Sequence, residues 1–388
     1  MQRRNFLLSM KELILKFLTV TLLLTSCTTD ELDLFDPDAT RVPQTLIPDV
    51  TFADPNIVQE AKDLHLRLQL ITQKGIAFGQ QGAIGGGVNF FDFESLESDF
   101  SRVAGDWPAI IGFDLEELEL WDPLIPNPNV QDFRQTLLTK AHNNGSIITL
   151  SWHASNPLTR RNSFDRTKAV TQMLEGGFLR DTFLLYLERI AYFLNNLKDE
   201  NGNPIPVLFR PWHEMNGDFF FWGEGLRSTE EFKQLFRDTV TILTETYNVH
   251  NVLYVYAPNT VKNASEYLKN YPGDAYVDIL GIDVYDHKSN NFVNDAIRNL
   301  EIVETIAKEK NMLFAFTETG LENVTESNWW TEQLYKAIRS SSISYTMVWR
   351  NATPNHFYAP YLGHPAEDDF RTFVSKDLIL LHKDIQQE

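Results

Sequence analysis

The sequence predicts an α/β fold, a single-domain (β/α)8 TIM barrel, on three observations. Eight short β-rich runs recur between Ile76 and Asn351, and the segments separating them carry helical periodicity. The runs are continuously apolar, as parallel strands covered on both faces should be. Nearly all of them start apolar and end in polar or aromatic residues. In a barrel of this kind, chemistry collects at the C-terminal strand ends.

In chain order the first four runs are IAFGQQ (Ile76–Gln81), AIIGFDL (Ala109–Leu115), SIITLSWH (Ser146–His153) and VLFRPWHE (Val207–Glu214). NVLYVYAPN (Asn251–Asn259), DILGIDVY (Asp278–Tyr285), LFAFTETG (Leu313–Gly320) and YTMVWRN (Tyr345–Asn351) follow. After the fourth run, Ser228-x-x-Glu231 forms a capping box that opens a helix. Before the seventh, Ile297, Leu300, Ile302, Val303 and Ile306 make one apolar helix face. The competing layout is an open doubly wound sheet with a nucleotide loop. Its glycine-rich candidate, Gly79–Phe91, has neither the dinucleotide order nor the P-loop order of residues.

Ahead of the barrel, Lys11 and Lys16 precede an apolar stretch, Phe17 to Leu24, that is too short to span a bilayer and fits a secretory signal. LTSC (Leu24 to Cys27) resembles a bacterial lipobox, which implies lipidation at Cys27 after removal of residues 1–26. Residues 27–50 are acidic and proline-punctuated and read as a lipid-anchored tether, with the barrel spanning 51–388. The expected location is the bacterial cell envelope, at the outer membrane, with the lipid as the sole membrane contact. Cys27 is the only cysteine, so disulfides, thiolate-bound metals and thiol catalysis are excluded from the barrel. A net charge of −19 argues against nucleic acid, anionic membrane surfaces and polyanionic substrates. A neutral substrate and a monomer are expected.

The strand ends carry Asp114, Trp152, His153, Arg210, Trp212, His213, Glu214, Asn259, Asp283, Tyr285, Glu318 and Trp349. Glu214 follows the fourth strand and Glu318 ends the seventh, on opposing walls of one funnel. Two facing carboxylates suit glycoside hydrolysis by double displacement. Such proximity also raises one carboxyl pKa, keeping that group protonated. HEMNG is not the HExxH of zinc proteases, and a metal on His153, His213 and His287 is the weaker alternative, so no metal or cofactor is expected. Aromatics at the same ends, including Trp152, Trp212, Phe219, Phe220, Phe221, Trp222, Tyr285 and Trp349, offer flat faces for sugar rings.

RPWHEMNGDFFFWG, GIDVY, FTETG and VWRNA, on the fourth, sixth, seventh and eighth strands, resemble glycoside hydrolase family 26. The resemblance implies a (β/α)8 barrel that cleaves β-1,4-mannan with retention, Glu214 being the acid/base and Glu318 the nucleophile. It implies substrate contacts from His153, His213, Phe219, Trp222, Asp283, Tyr285 and Trp349. Members often carry tryptophan where this chain has Phe219, so weak leaving-group subsites and release of mannobiose are expected. Glycine-rich Ala83–Phe91 and the segment Leu120–Val130 are expected to shape the non-reducing side. Within the family, β-1,3-xylanase and mixed-linkage β-glucanase are the alternatives. Outside it, the alternative is a non-catalytic glycan-binding surface lipoprotein.

Overall fold

In the computed structural model, which describes residues 34–121, 131–288 and 291–386, all eight expected strands form. They are β1 (Ile76–Gln81), β2 (Ile110–Asp114), β3 (Ile147–Trp152) and β4 (Val207–Pro211), then β5 (Val252–Tyr256), β6 (Ile279–Asp286), β7 (Leu313–Leu321) and β8 (Tyr345–Val348). Each pairs in parallel with the next. β8 pairs back to β1 with Tyr345 opposite Ala77, closing the sheet into a barrel.

Side chains alternate between two apolar clusters with the period of two that strands impose. Leu208, Leu253, Val255, Leu313 and Ala315 fill the inside, while Phe209, Tyr254, Phe314 and Phe316 face the helical layer. The expected capping box forms: Ser228 Oγ accepts the Glu231 N–H at 3.2 Å, and Glu231 Oε2 accepts the Ser228 N–H at 2.6 Å. Helix Phe292–Lys310 buries Ile297, Leu300, Val303 and Ile306, and Ile302 is half-buried beside them. Among the described residues no helix is long and apolar enough to cross a membrane.

The base of the barrel corrects one sequence expectation. Residues 35–50 are not a separate tether but pack as part of the barrel body. Helix Gln59–Lys74 adds Ala61, Leu64, Leu68 and Ile71 to the inner cluster, closing the barrel's N-terminal end. The Arg41 guanidinium then donates to Thr72 O (2.6 Å) and Gly75 O (3.0 Å), carbonyls left open at that helix's C-terminus. Gln44 and Ile47 are buried, Gln44 donating to Met312 O and Ile47 N–H to Gln69 Oε1. Acidic, proline-rich composition hid these few anchoring residues. The signal segment with Cys27 and most of Leu120–Val130 lie outside the described residues.

Candidate active site

β4 ends at Pro211 instead of running on to Glu214, because Trp212 and Glu214 enter the left-handed region with φ of 55° and 53°. Such conformations cost on the order of 1–3 kcal/mol each unless the surroundings over-determine them. Here they do. Trp212 is fully buried, its indole N–H donating to Thr239 Oγ1 at 2.9 Å. The Glu214 N–H donates to Ala257 O at 2.8 Å, and the Gly217 N–H donates back to Glu214 O at 2.9 Å. Asn216 and Asn259 clasp each other, and Asn259 Nδ2 donates to Glu214 Oε1 at 2.9 Å. The turn fixes where the Glu214 carboxyl stands before any substrate arrives.

Glu318 reaches the same cavity by a different device. Along β7, Phe314 and Phe316 point outward, so strict alternation would send Glu318 outward as well. The register against β6 slips, however: Ile282 faces Phe316, yet the next residue, Asp283, faces Glu318. Thr317 is the extra residue of a β-bulge, a feature that re-aims side chains beside active sites. Its hydroxyl donates to Asp283 Oδ1 at 2.5 Å and lies 3.1 Å from Ile282 O. Glu318 thereby turns inward, where Arg210 Nη2 donates to Oε1 and the Tyr285 hydroxyl donates to Oε2 at 2.7 Å. Accepting at both oxygens is the pattern of an ionised carboxylate.

Burial alone would lower the Arg210 pKa, but Glu318 and Asp283 outweigh it and hold the guanidinium charged. Glu214 has the opposite environment. Its pKa is raised well above the usual carboxylate range, first by burial and then by the negative charges of Asp283 and Glu318, against the opposing Arg210 and Asn259. The protonated form of Glu214 is thus favoured in the same pocket where Glu318 accepts from two donors. Tyr285 is pushed well above its ordinary value, chiefly by burial, so its O–H stays a donor to Glu318.

The two histidines are also split. His153 Nδ1 sits 2.5 Å from Asp114 Oδ2, and that carboxylate overcomes the burial that would otherwise lower the imidazole, leaving its pKa raised. His213, whose ring centroid is 4.7 Å from that of His153, is held well below its ordinary value by burial and by the positive charges of His153 and Arg210. His153 is thus shifted toward its cationic form and His213 toward its neutral form.

These groups meet in one cavity of about 660 Å³ at the C-terminal mouth of the barrel, with Glu214, Glu318, His153, His213, Phe219, Tyr285 and Trp349 all in its wall. Two expected substrate contacts are not there. Trp222 is fully buried beneath the wall, stacked on Phe220 with centroids 4.4 Å apart, and its N–H donates to His213 O at 2.8 Å. Asp283 is fully buried and spends its oxygens on Arg210 and Thr317. Both support residues that reach the cavity. A strand-end position did not reveal which side of the wall each would occupy.

Sequence reading also missed cavity residues. Tyr358, in the loop after β8, lies 5.7 Å from the Tyr285 ring. Gly320, with φ of 145°, makes room for it, since a Cβ there would come within 2.5 Å of Tyr358 Cδ1. Phe164 lies in the long loop after β3, 58% exposed and near-parallel to His153 at 21°. An exposed aromatic at the rim of a cleft invites a sugar ring, but a lone phenylalanine among arginines gave no signal in sequence. For the sugar substrate that the sequence resemblance implies, Phe164→Ala is expected to raise KM for long oligosaccharides by roughly 3- to 10-fold, the worth of one aromatic stacking contact. Steady-state kinetics across chain lengths will check this, with kcat expected to hold.

The glycosyl hydrolase family 26 profile matches residues 53–358. A GH26 β-mannanase from Bacteroides ovatus superposes with a TM-score of 0.80 at 35% identity, over 84% of this chain and 96% of that one. GH26C from a Muricauda species gives 0.79 at 30%, over 86% and 94%. A mannan endo-1,4-β-mannosidase from Bifidobacterium adolescentis is 31% identical over 360 residues, 86% of this chain but 35% of the relative. The chain thus spans about a third of that relative's length.

Proposed function

The chain belongs to glycosyl hydrolase family 26, and from that premise we propose that it hydrolyses β-1,4-mannosidic bonds with retention of configuration. The observation that carries the reading is that Glu214 and Glu318 line one cavity in different surroundings, Glu318 held at both oxygens by donors and Glu214 bonded by Asn259. Glu214, whose protonated form is favoured by burial and by its negative neighbours, donates to the glycosidic oxygen. Glu318, held at both oxygens by Arg210 and Tyr285, attacks the anomeric carbon as that bond breaks, giving a glycosyl-enzyme. Esterification removes the Glu318 charge, one of the causes that raise Glu214. Glu214, having given its proton to the leaving oxygen, is then favoured in its ionised form and can take the proton of the water that releases the sugar and regenerates both carboxyls.

The test is hydrolysis of β-1,4-mannan, lichenan and β-1,3-xylan side by side, with the first-formed anomer read by proton NMR. Mannan cleavage yielding the β-anomer is expected. An initial α-anomer would overturn the mechanism, and preference for lichenan or β-1,3-xylan would overturn the substrate. Mannobiose as the main early product belongs to the same reading and rests on Phe219 in place of a larger aromatic. A random ladder of oligomers from the outset would contradict it. Attachment by lipid at Cys27 in the cell envelope is supported by LTSC alone. Cys27→Ser should abolish fatty-acid incorporation and leave turnover unchanged.

A further inference from the structure

Asn351, the residue that closes the VWRN motif, has no place in the chemistry above, yet five hydrogen bonds converge on its amide. Its Oδ1 accepts the Tyr358 N–H (3.0 Å), the Ala359 N–H (2.9 Å) and Gln80 Nε2 (2.9 Å). Its Nδ2 donates to Ala359 O and to Asp99 Oδ2, both at 2.9 Å. The partners fix which end is oxygen and which is nitrogen, because the first group can only donate and the second only accept.

Through those partners the amide reaches three parts of the rim. Gln80, at the end of β1, also donates to Trp349 O at 3.1 Å, the backbone of a cavity residue. Tyr358 carries a second cavity side chain on the β8 loop. Asp99 Oδ2 also accepts the Val88 N–H at 2.7 Å, and Gly87 lies so close that a Cβ there would come within 2.4 Å of the Asp99 carboxyl carbon. The glycine-rich β1 loop is therefore tied to the same point.

We propose that Asn351 is the positioning residue for the Trp349–Tyr358 side of the cleft, setting affinity for the sugar units held there without entering bond cleavage. The proposal rests on the reading of the cleft as a β-mannan site. It implies that the β1 loop and the β8 loop hold their shape together, as one unit.

Hydrogen exchange followed by mass spectrometry, together with kinetics on β-1,4-mannohexaose, tests it in two variants. In Asn351→Ala, peptides covering 83–98 and 352–361 are expected to exchange at least about tenfold faster, while the β3 loop is unchanged. KM should rise about tenfold with kcat held within about threefold. Asn351→Asp keeps the acceptor oxygen but sets a second carboxylate against Asp99. It is expected to deprotect 83–98 while the Tyr358 amide stays protected. This variant decides the matter if the alanine form fails to fold. Retained protection of both peptides in Asn351→Ala, or a fall in kcat with KM unmoved, would overturn the proposal. Should the parent enzyme leave mannohexaose intact, the substrate reading fails by itself, and the exchange pattern still decides whether Asn351 positions this wall.

Discussion

Glu318→Ala is expected to lower kcat on β-1,4-mannan by more than about 10⁴-fold, a barrier increase of roughly 5 kcal/mol. In the proposed mechanism the side chain supplies the atom that bonds to the anomeric carbon, and its neighbours Arg210 and the Tyr285 hydroxyl, both donors to it, cannot replace it. The substitution also leaves Arg210 buried with Asp283 as its remaining partner, so the folded state must be verified by thermal unfolding. Binding of mannohexaose should persist in calorimetry, because the stacking surfaces are untouched. Azide, small enough for the space vacated, is expected to restore turnover partly and to yield the α-glycosyl azide. Wild-type rates in the alanine variant would end the assignment.

Glu214→Gln is expected to cost about 10²- to 10⁴-fold on mannan, the usual worth of positioned proton transfer. Its first step on a substrate with an acidic leaving group, such as a dinitrophenyl glycoside, should be almost unaffected, because no proton is then needed. The pH profile gives an independent check. In the proposed mechanism Glu214 acts in its protonated form, and its pKa is raised, so activity should fall as pH climbs through a value above the ordinary glutamate range. That alkaline limb should vanish in Glu214→Gln. Asn259 donates to the Glu214 carboxylate and favours its ionised form, so Asn259→Ala should push the same limb to higher pH. An unchanged limb in Glu214→Gln would assign the titration to another group.

The barrel was legible because parallel strands buried on both faces leave apolar runs, and nearly every run from Ile76 to Val348 starts that way before its polar end. Glu214 and Glu318 were legible because each interrupts a strand end with chemistry that packing does not need. What sequence withheld depended on partners far along the chain. Trp222 looked like a sugar platform until Phe220 and Trp212 closed over it. Asp283 looked like a ligand contact until its oxygens were found committed to Arg210 and Thr317. Phe164 sits in a loop whose course is set by Asn156, which is fully buried and donates to Asp165 O and Thr167 O. No periodicity announces such a loop. Residues 35–50 failed for a related reason: a handful of anchors, Arg41, Gln44 and Ile47, outweigh a composition that otherwise suggests free chain.

The extra residue at Thr317 has a consequence for anyone rebuilding this enzyme. A designer who grafted the carboxylate onto an idealised barrel of evenly pleated strands would find it delivered into the greasy layer between sheet and helices, beside the outward phenylalanines. The offset must travel with the graft. Deleting one amino acid there would shift the phase of the strand and evict Glu318 from the cavity, even though every other strand kept its place.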